Sequence, residues 1–312
     1  MRCSRAWALA ATIVMFSNLS AVAVTPPAQA ENSTQTYSSR LKEIDLLTQA
    51  RSFYKARKIL EPLLESKPKD ADVHVRAGRL FSQMGLLPRA IDEYRTVISL
   101  DPRNSSAYVE LSKIYLASEN TNDATTYAKE ALKLNPNSAD TRILLVKILM
   151  AKGLLLEAEQ EMQRLLRGDP HDAQVHYMAA KIYRERGQGA LALQHIDEAI
   201  QLNPNNHEWL MEMSDICILL GRDDEAKAAL LKLLKYEPDS VEGLSRLARV
   251  KENSFRDYDG AMESYKRVLE IDPDSVTALA GIERLRAKKN DLAGLWKHQL
   301  KNFFAGLFPK KN

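Results

Sequence analysis

ADVHVRAGRLFSQMGLLPRAIDEYRTVISLDPRN, residues 71–104, decides the fold. Apolar Val73, Ala77, Leu80, Phe81 and Met84 follow helical spacing, and Gly85 stands where that helix must end in a left-handed conformation. A second helical pattern carries Ala90, Ile91, Tyr94, Val97, Ile98 and Leu100. Asp101-Pro102 then stops it, because proline lacks an N–H and drives the preceding residue out of the helical region. The small Ala90 sits early in the second helix, where two helices cross closely. The unit is an αα-hairpin.

The same unit recurs along the chain. Pro68, Pro102, Pro136, Pro170, Pro204 and Pro238 are 34 residues apart, and Pro273 follows after 35. Ala56, Ala90, Ala124, Ala158, Ala192, Ala226 and Ala261 keep the same beat, and Gly85, Gly153, Gly187 and Gly221 mark a second one. A fixed period of this length is the signature of a repeat array. Low glycine and proline contents, 12 of each in 312 residues, also argue against an all-β fold.

In this phase the chain resembles the tetratricopeptide repeat family, whose pattern wants small residues at positions 8, 20 and 27, aromatics near 11 and 24, and proline at 32. Gly78, Phe81, Ala90, Tyr94 and Pro102 supply it in 71–104, with Val97 at the third small site. Tyr115, Ala124, Ala131 and Pro136 supply it in 105–138, and Ala180, Tyr183, Ala192, Ala199 and Pro204 in 173–206. The resemblance implies an all-α solenoid of αα-hairpins wound as a right-handed superhelix. About seven repeats are expected, at 37–70, 71–104, 105–138, 139–172, 173–206, 207–240 and 241–275. The first departs from the pattern with Arg51 at the turn-glycine site and Pro62 inside its second helix. The last carries one extra residue around ENSFRDYDG, so a distorted turn is expected there. Residues 276–308 read as a capping helix pair and 309–312 as a basic tail, since terminal units of such arrays lack a neighbour on one side.

The first thirty residues read as a secretory signal peptide. Arg2 and Arg5 precede the apolar run Ala6–Phe16, and Ala28-Gln29-Ala30 is an A-x-A site. A short polar segment, 31–36, would follow cleavage. The expectation is an exported, periplasmic protein. The alternative is an uncleaved inner-membrane anchor, which Ser17-Asn18 and Ser20 interrupt. Loss of two arginines leaves a near-neutral chain, which does not indicate nucleic-acid binding. Cys3 would leave with the signal, so Cys217 has no internal disulfide partner and reads as a small buried hydrophobe.

Enzyme signatures fail on inspection. HEWLM at 207–211 has Met211 where a zinc protease needs its second histidine. GQGALA at 187–192 falls in a turn between helices instead of after a strand. Ser39 and Lys42 fit S-x-x-K without the companion motifs, and His171 and His176 are wrongly spaced for one helical face. No catalytic site, metal site or cofactor is expected.

SKIY at 112–115, AKIY at 180–183, VKIL at 146–149 and GRLF at 78–81 each place a cation in an apolar run. Arg79, Lys113, Lys147 and Lys181 all fall at position 9 of the first helix. The resemblance implies that position 9 faces the concave groove with positions 2, 5, 12 and 13, where family members bind extended peptides or partner helices. Two readings stand. The cations are a solvated row, since unit charges on the order of 10 Å apart in water repel by only about 0.4 kcal/mol. Alternatively they form a ladder for an acidic peptide, a C-terminal carboxylate or an acidic polysaccharide. Glu110 and Glu185 are spaced to pair with Lys113 and Lys181, leaving Arg79 and Lys147 available. Tyr177 continues an apolar position-5 row of Val75, Val109, Ile143 and Met211, and Arg184 adds a further cation. Position 9 reverses to Asp215, with Glu208, Glu242 and Glu252 expected on the same face.

The final stretch, 291–312, sets Phe303, Phe304 and Phe308 before Lys310-Lys311, an apolar end fit to dock on a partner or a membrane surface. The resemblance implies a non-enzymatic scaffold or adaptor of the bacterial cell envelope. Its alternatives are a periplasmic holder of unfolded or acidic segments and a binder of anionic polysaccharide in an export system.

Overall fold

The computed structural model describes residues 28–290, with side chains from Thr36 onward. Its described residues form fifteen helices and no strand. The expected signal peptide, the second capping helix with Phe303, Phe304 and Phe308, and the basic tail lie outside them, apart from Ala28–Ala30.

The chain divides into two compact units, one up to Pro102 and one from Arg103. The first holds α1 (Ala28–Gln49), α2 (Phe53–Ser66), α3 (Ala71–Gln83) and α4 (Leu87–Leu100). The second holds α5 (Ser105–Ala117), α6 (Thr121–Leu134), α7 (Ala139–Ala151), α8 (Leu155–Gly168), α9 (Ala173–Glu185) and α10 (Gly189–Leu202). It continues with α11 (Trp209–Leu219), α12 (Asp223–Tyr236), α13 (Val241–Asn253), α14 (Tyr258–Ile271) and α15 (276–290). Within each unit a second helix packs on its own first helix and on the first helix of the next hairpin. First helices also touch directly, α1 on α3, α5 on α7 and α9 on α11. None of the described helices is long and apolar enough to cross a membrane.

The short polar segment 31–36 lies within α1, which starts at Ala28. Pro27 is the last helix breaker before Gln49, so nothing in the sequence holds the helix back to residue 37.

Each hairpin turns on one left-handed residue. Gly85, Gly153, Gly187 and Gly221 have φ between 69° and 76°. Arg51 and Glu119 take the same place with φ of 54° and 59°, so the missing glycine at Arg51 does not change the turn. Behind each, the following N–H reaches back to a first-helix carbonyl, as in Leu86 N to Phe81 O at 2.9 Å. In 241–275 the left-handed residue is Arg256, and Asp257 N bonds Lys251 O at 2.9 Å. The extra residue is thus absorbed by widening this closure by one position. Asn120 and Asp257, which follow Glu119 and Arg256, cap α6 and α14 with their side chains.

The alanine of each second helix is fully buried, from Ala56 to Ala261. In 105–138 the close crossing is sealed by a hydrogen bond from Ser112 Oγ to Ala124 O at 2.8 Å. In 71–104 it depends on Gly78, where a Cβ would come 2.8 Å from the buried Tyr94 ring. The repeat's last position caps the next first helix through Asp70, Asn104, Ser138, Asp172 and Ser240. Helix α11 lacks such a cap and is the shortest, at 11 residues.

Gly78→Ala is expected to lower stability by roughly 1–3 kcal/mol through overpacking against Tyr94. Glu119→Gly is expected to raise it by about 0.5 kcal/mol, because removing the left-handed penalty outweighs the added unfolded-state freedom. Urea unfolding of both variants checks the pair, which must move in opposite directions.

Candidate functional site

The position-9 cations and their neighbours sit on the first helices, and each has a definite environment. Arg79 does not stand free: its Nη1 lies 3.4 Å from Asp45 Oδ1, and Asp45 also accepts from Arg76 Nε at 3.1 Å. Asp45 belongs to the preceding first helix, a partner invisible to spacing within one helix. Lys113 Nζ donates to Glu110 Oε1 at 2.8 Å, the pairing its spacing predicts. Lys181 does not pair with Glu185. Its Nζ lies 5.7 Å over the Tyr177 ring, because Tyr177 offers a desolvated face one turn back on α9. Lys147 is exposed and makes no hydrogen bond or ion pair with another described residue.

Tyr177 is itself fixed by Trp209, whose ring stacks at 5.4 Å and 12°. Burial raises the Tyr177 phenol above its ordinary value, with Glu212 and Glu208 adding to it. The other position-5 residues, Val75, Val109, Ile143 and Met211, are half-buried, so each leaves apolar surface on its first helix.

The acidic half of the predicted face is not an open acidic surface. Arg184 Nε donates to the buried Glu212 at 2.6 Å, joining α9 to α11. Burial alone would lower the Arg184 guanidinium, but the bond and charge of Glu212 raise it. Asp215 accepts from Arg246 Nη1, joining α11 to α13, and Glu242 takes Arg246 Nη2 at 2.8 Å. Glu252, expected on the groove face, is fully buried at 0% side-chain exposure. Arg284 grips both its oxygens at 2.7 and 2.8 Å, and Lys288 adds a bond at 2.8 Å. A carboxylate removed from water is held only with such paired donors.

These bridges skip part of the array. Among the described residues no ion pair joins α5 to α7 or α7 to α9. There the face presents Val109, Ile143 and Tyr177 beside Lys113, Lys147 and Lys181. Two features escaped the sequence reading: the position-6 residues Glu212 and Arg246, and the Trp209 platform. Their signal was an opposite charge 28 to 31 residues away, in the neighbouring first helix.

Cys217 is buried, and burial raises its thiol pKa. No group of three or more His, Cys, Asp or Glu among the described residues is placed to hold a metal ion.

Family profiles described as tetratricopeptide repeat match residues 71–104, 115–182, 183–250 and 246–275. The chain belongs to the tetratricopeptide repeat family. Hsp70-Hsp90 organizing proteins 2 and 3 of Arabidopsis thaliana are 32% and 34% identical to it over 106 residues. That stretch is 32% of this chain but only 18% and 19% of theirs, so the chain spans about a fifth of these relatives' length. A tetratricopeptide repeat protein from Parabacteroides merdae superposes with a TM-score of 0.64 at 14% identity, covering 81% of this chain and 99% of that one. The C-terminal part of a Cytophaga hutchinsonii repeat protein gives 0.62 at 18% identity, covering 78% and 99%. At those identities the likeness concerns the fold. The repeats make this chain a protein–protein interaction scaffold.

The Arg284 hydrogen bond, against the opposing effect of burial, and Lys288 bring the Glu252 carboxyl from 4.5 down to about 2. Its depressed value means the bridge stabilises fully above pH 4.5 and fades as pH falls toward 2. Glu252→Gln should therefore cost roughly 1–2 kcal/mol at neutral pH, discounted for the partly exposed cations. Urea unfolding at a series of acidic pH values should show the difference from the parent shrinking across that window.

Proposed function

We propose that the chain acts by binding, not by catalysis, and that the face of α5, α7 and α9 takes an extended acidic segment of a partner protein. The observation that carries this is Lys147, an exposed cation with no hydrogen-bond or ion-pair partner among the described residues, on the same helix face as the half-buried Ile143. An apolar row edged by an unpaired charge suits a peptide with alternating apolar and acidic side chains. The α9, α11, α13 and α15 stretch, by contrast, spends its charges on itself, and serves to stiffen that end of the array. The name of the Arabidopsis relatives, which links them to Hsp70 and Hsp90, supports a partner that is itself a protein.

The setting we propose is the bacterial cell envelope, with the chain exported to the periplasm. Its support is the basic start, apolar run and A-x-A site at the N-terminus. In that setting the chain serves as an adaptor for an envelope assembly.

Lys147→Glu is expected to weaken retention of the partner from an envelope fraction roughly fivefold or more, by exchanging attraction for repulsion. Lys129→Glu, an equal charge reversal on the exposed side of α6, should leave it within about twofold. Quantitative pull-down at low and high salt checks both. Equal losses for the two variants contradict the assignment of the face.

A further inference from the structure

The same joint recurs in several hairpins with different chemistry. Position 4 of the first helix meets position 23 of the second and also the proline carbonyl that ends the preceding repeat. In 71–104, His74 Nδ1 bonds Glu93 Oε2 at 2.6 Å while its Nε2 bonds Pro68 O at 3.0 Å. In 139–172, Arg142 donates to Glu161 Oε2 and to Pro136 O, each at 2.6 Å. In 105–138 the pair is Tyr108 and Tyr127, with ring centroids 6.3 Å apart. In 173–206 the carbonyl bond is kept, His176 Nε2 to Pro170 O at 3.0 Å, but the acid is gone. His195 stands in its place, Nδ1 to Nδ1 at 3.0 Å from His176.

The protons of this joint follow from its partners. A carbonyl only accepts, so His176 Nε2 carries the hydrogen, and in the neutral pair His176 Nδ1 accepts from His195 Nδ1–H. One added proton is accommodated, on His195 Nε2 or on His176 with His195 changing tautomer. A second is not, because two N–H groups then face each other across the same 3.0 Å. We propose that His176 and His195 form an acid-sensitive latch that ties α9 to α10 and to Pro170, and that opens when both rings are charged.

The surroundings do not relieve the second charge. Tyr183 of α9 stacks on His195 at 5.3 Å and 13°, but its hydroxyl is turned to Glu159 of α8 at 3.1 Å. Glu159 is also bonded by Arg186. The Asp172 carboxylate is taken by the N–H groups of Gln174 and Val175. Glu198, one turn along α10, is the acid that acts on His195 through charge. Burial first, and then the charge of His176, push His195 below its ordinary 6.5 in spite of Glu198. The unfolded chain therefore takes up this proton more readily than the folded one. Stability from the joint is complete above about 6.5 and is lost as pH falls below it. The His74–Glu93 joint differs in its partner, a carboxylate that accepts from the ring where His176 meets a second imidazole. Acid thus acts on the joint of 173–206, whose first helix carries Tyr177, Lys181 and Arg184.

The test is amide hydrogen exchange on the full chain at about pH 7.5 and pH 5.5, corrected for intrinsic exchange chemistry. Exchange of the α9 and α10 amides should accelerate roughly tenfold at the lower pH relative to those of α7 and α8. His195→Glu, which recreates the His74–Glu93 arrangement, should abolish the acceleration. His176→Arg with His195→Glu, which recreates Arg142–Glu161, should abolish it too and guards against a single variant that folds poorly. Absence of acceleration in the parent, or its persistence in both variants, overturns the proposal. None of these readouts depends on partner binding.

Discussion

Every hairpin depends on one residue held at positive φ between its two helices. That residue lets the first helix close on itself and sends the second back along it at a fixed angle. The alanine of the second helix is then buried at the crossing, as where Ala124 O accepts from Ser112 of the first helix, and the proline after the second helix ends the unit. The 34-residue beat is the sum of these constraints. Where the chain adds a residue, before Arg256, the left-handed position moves with it and the packing of Ala261 is preserved. The turn conformation is therefore conserved more strictly within the array than the glycine that usually supplies it.

The architecture was legible because its determinants are local. Proline, alanine and glycine each act within a few residues of where they stand, so their spacing reports the hairpin directly. Arg51 shows the edge of that legibility. It looks like a departure by residue type, yet the surrounding closure holds it in the same left-handed turn. The charged site was less legible because its partners come from the next repeat. Asp45 takes Arg79, Arg246 takes Asp215, and Arg284 takes Glu252, all across first helices that only the fold brings together. Lys181 illustrates a second reason: a neighbouring ring competes with a neighbouring acid, and helical spacing alone does not rank them.

The inter-repeat bridges divide the labour of one surface. From α9 to α15, opposite charges on adjacent first helices satisfy each other, and Glu252 is buried under its donors as a structural group. Across α5 and α7 the pairing stops, and the position-9 cations stay on the surface or bind within their own helix. A scaffold needs both regions. The paired stretch ties successive first helices together, and the unpaired stretch leaves charge and apolar surface exposed, the surface proposed above for another chain.

The proposed seat of the partner is the row α5, α7 and α9, not the second helices. Site-specific photo-crosslinking tests it most directly, with a photoreactive residue placed at Ile143 on α7 or at Lys129 on α6 in the full chain. A crosslinked partner that an acidic peptide competes away is expected from position 143, and none from position 129. Efficient crosslinking from position 129 with none from position 143 would contradict it.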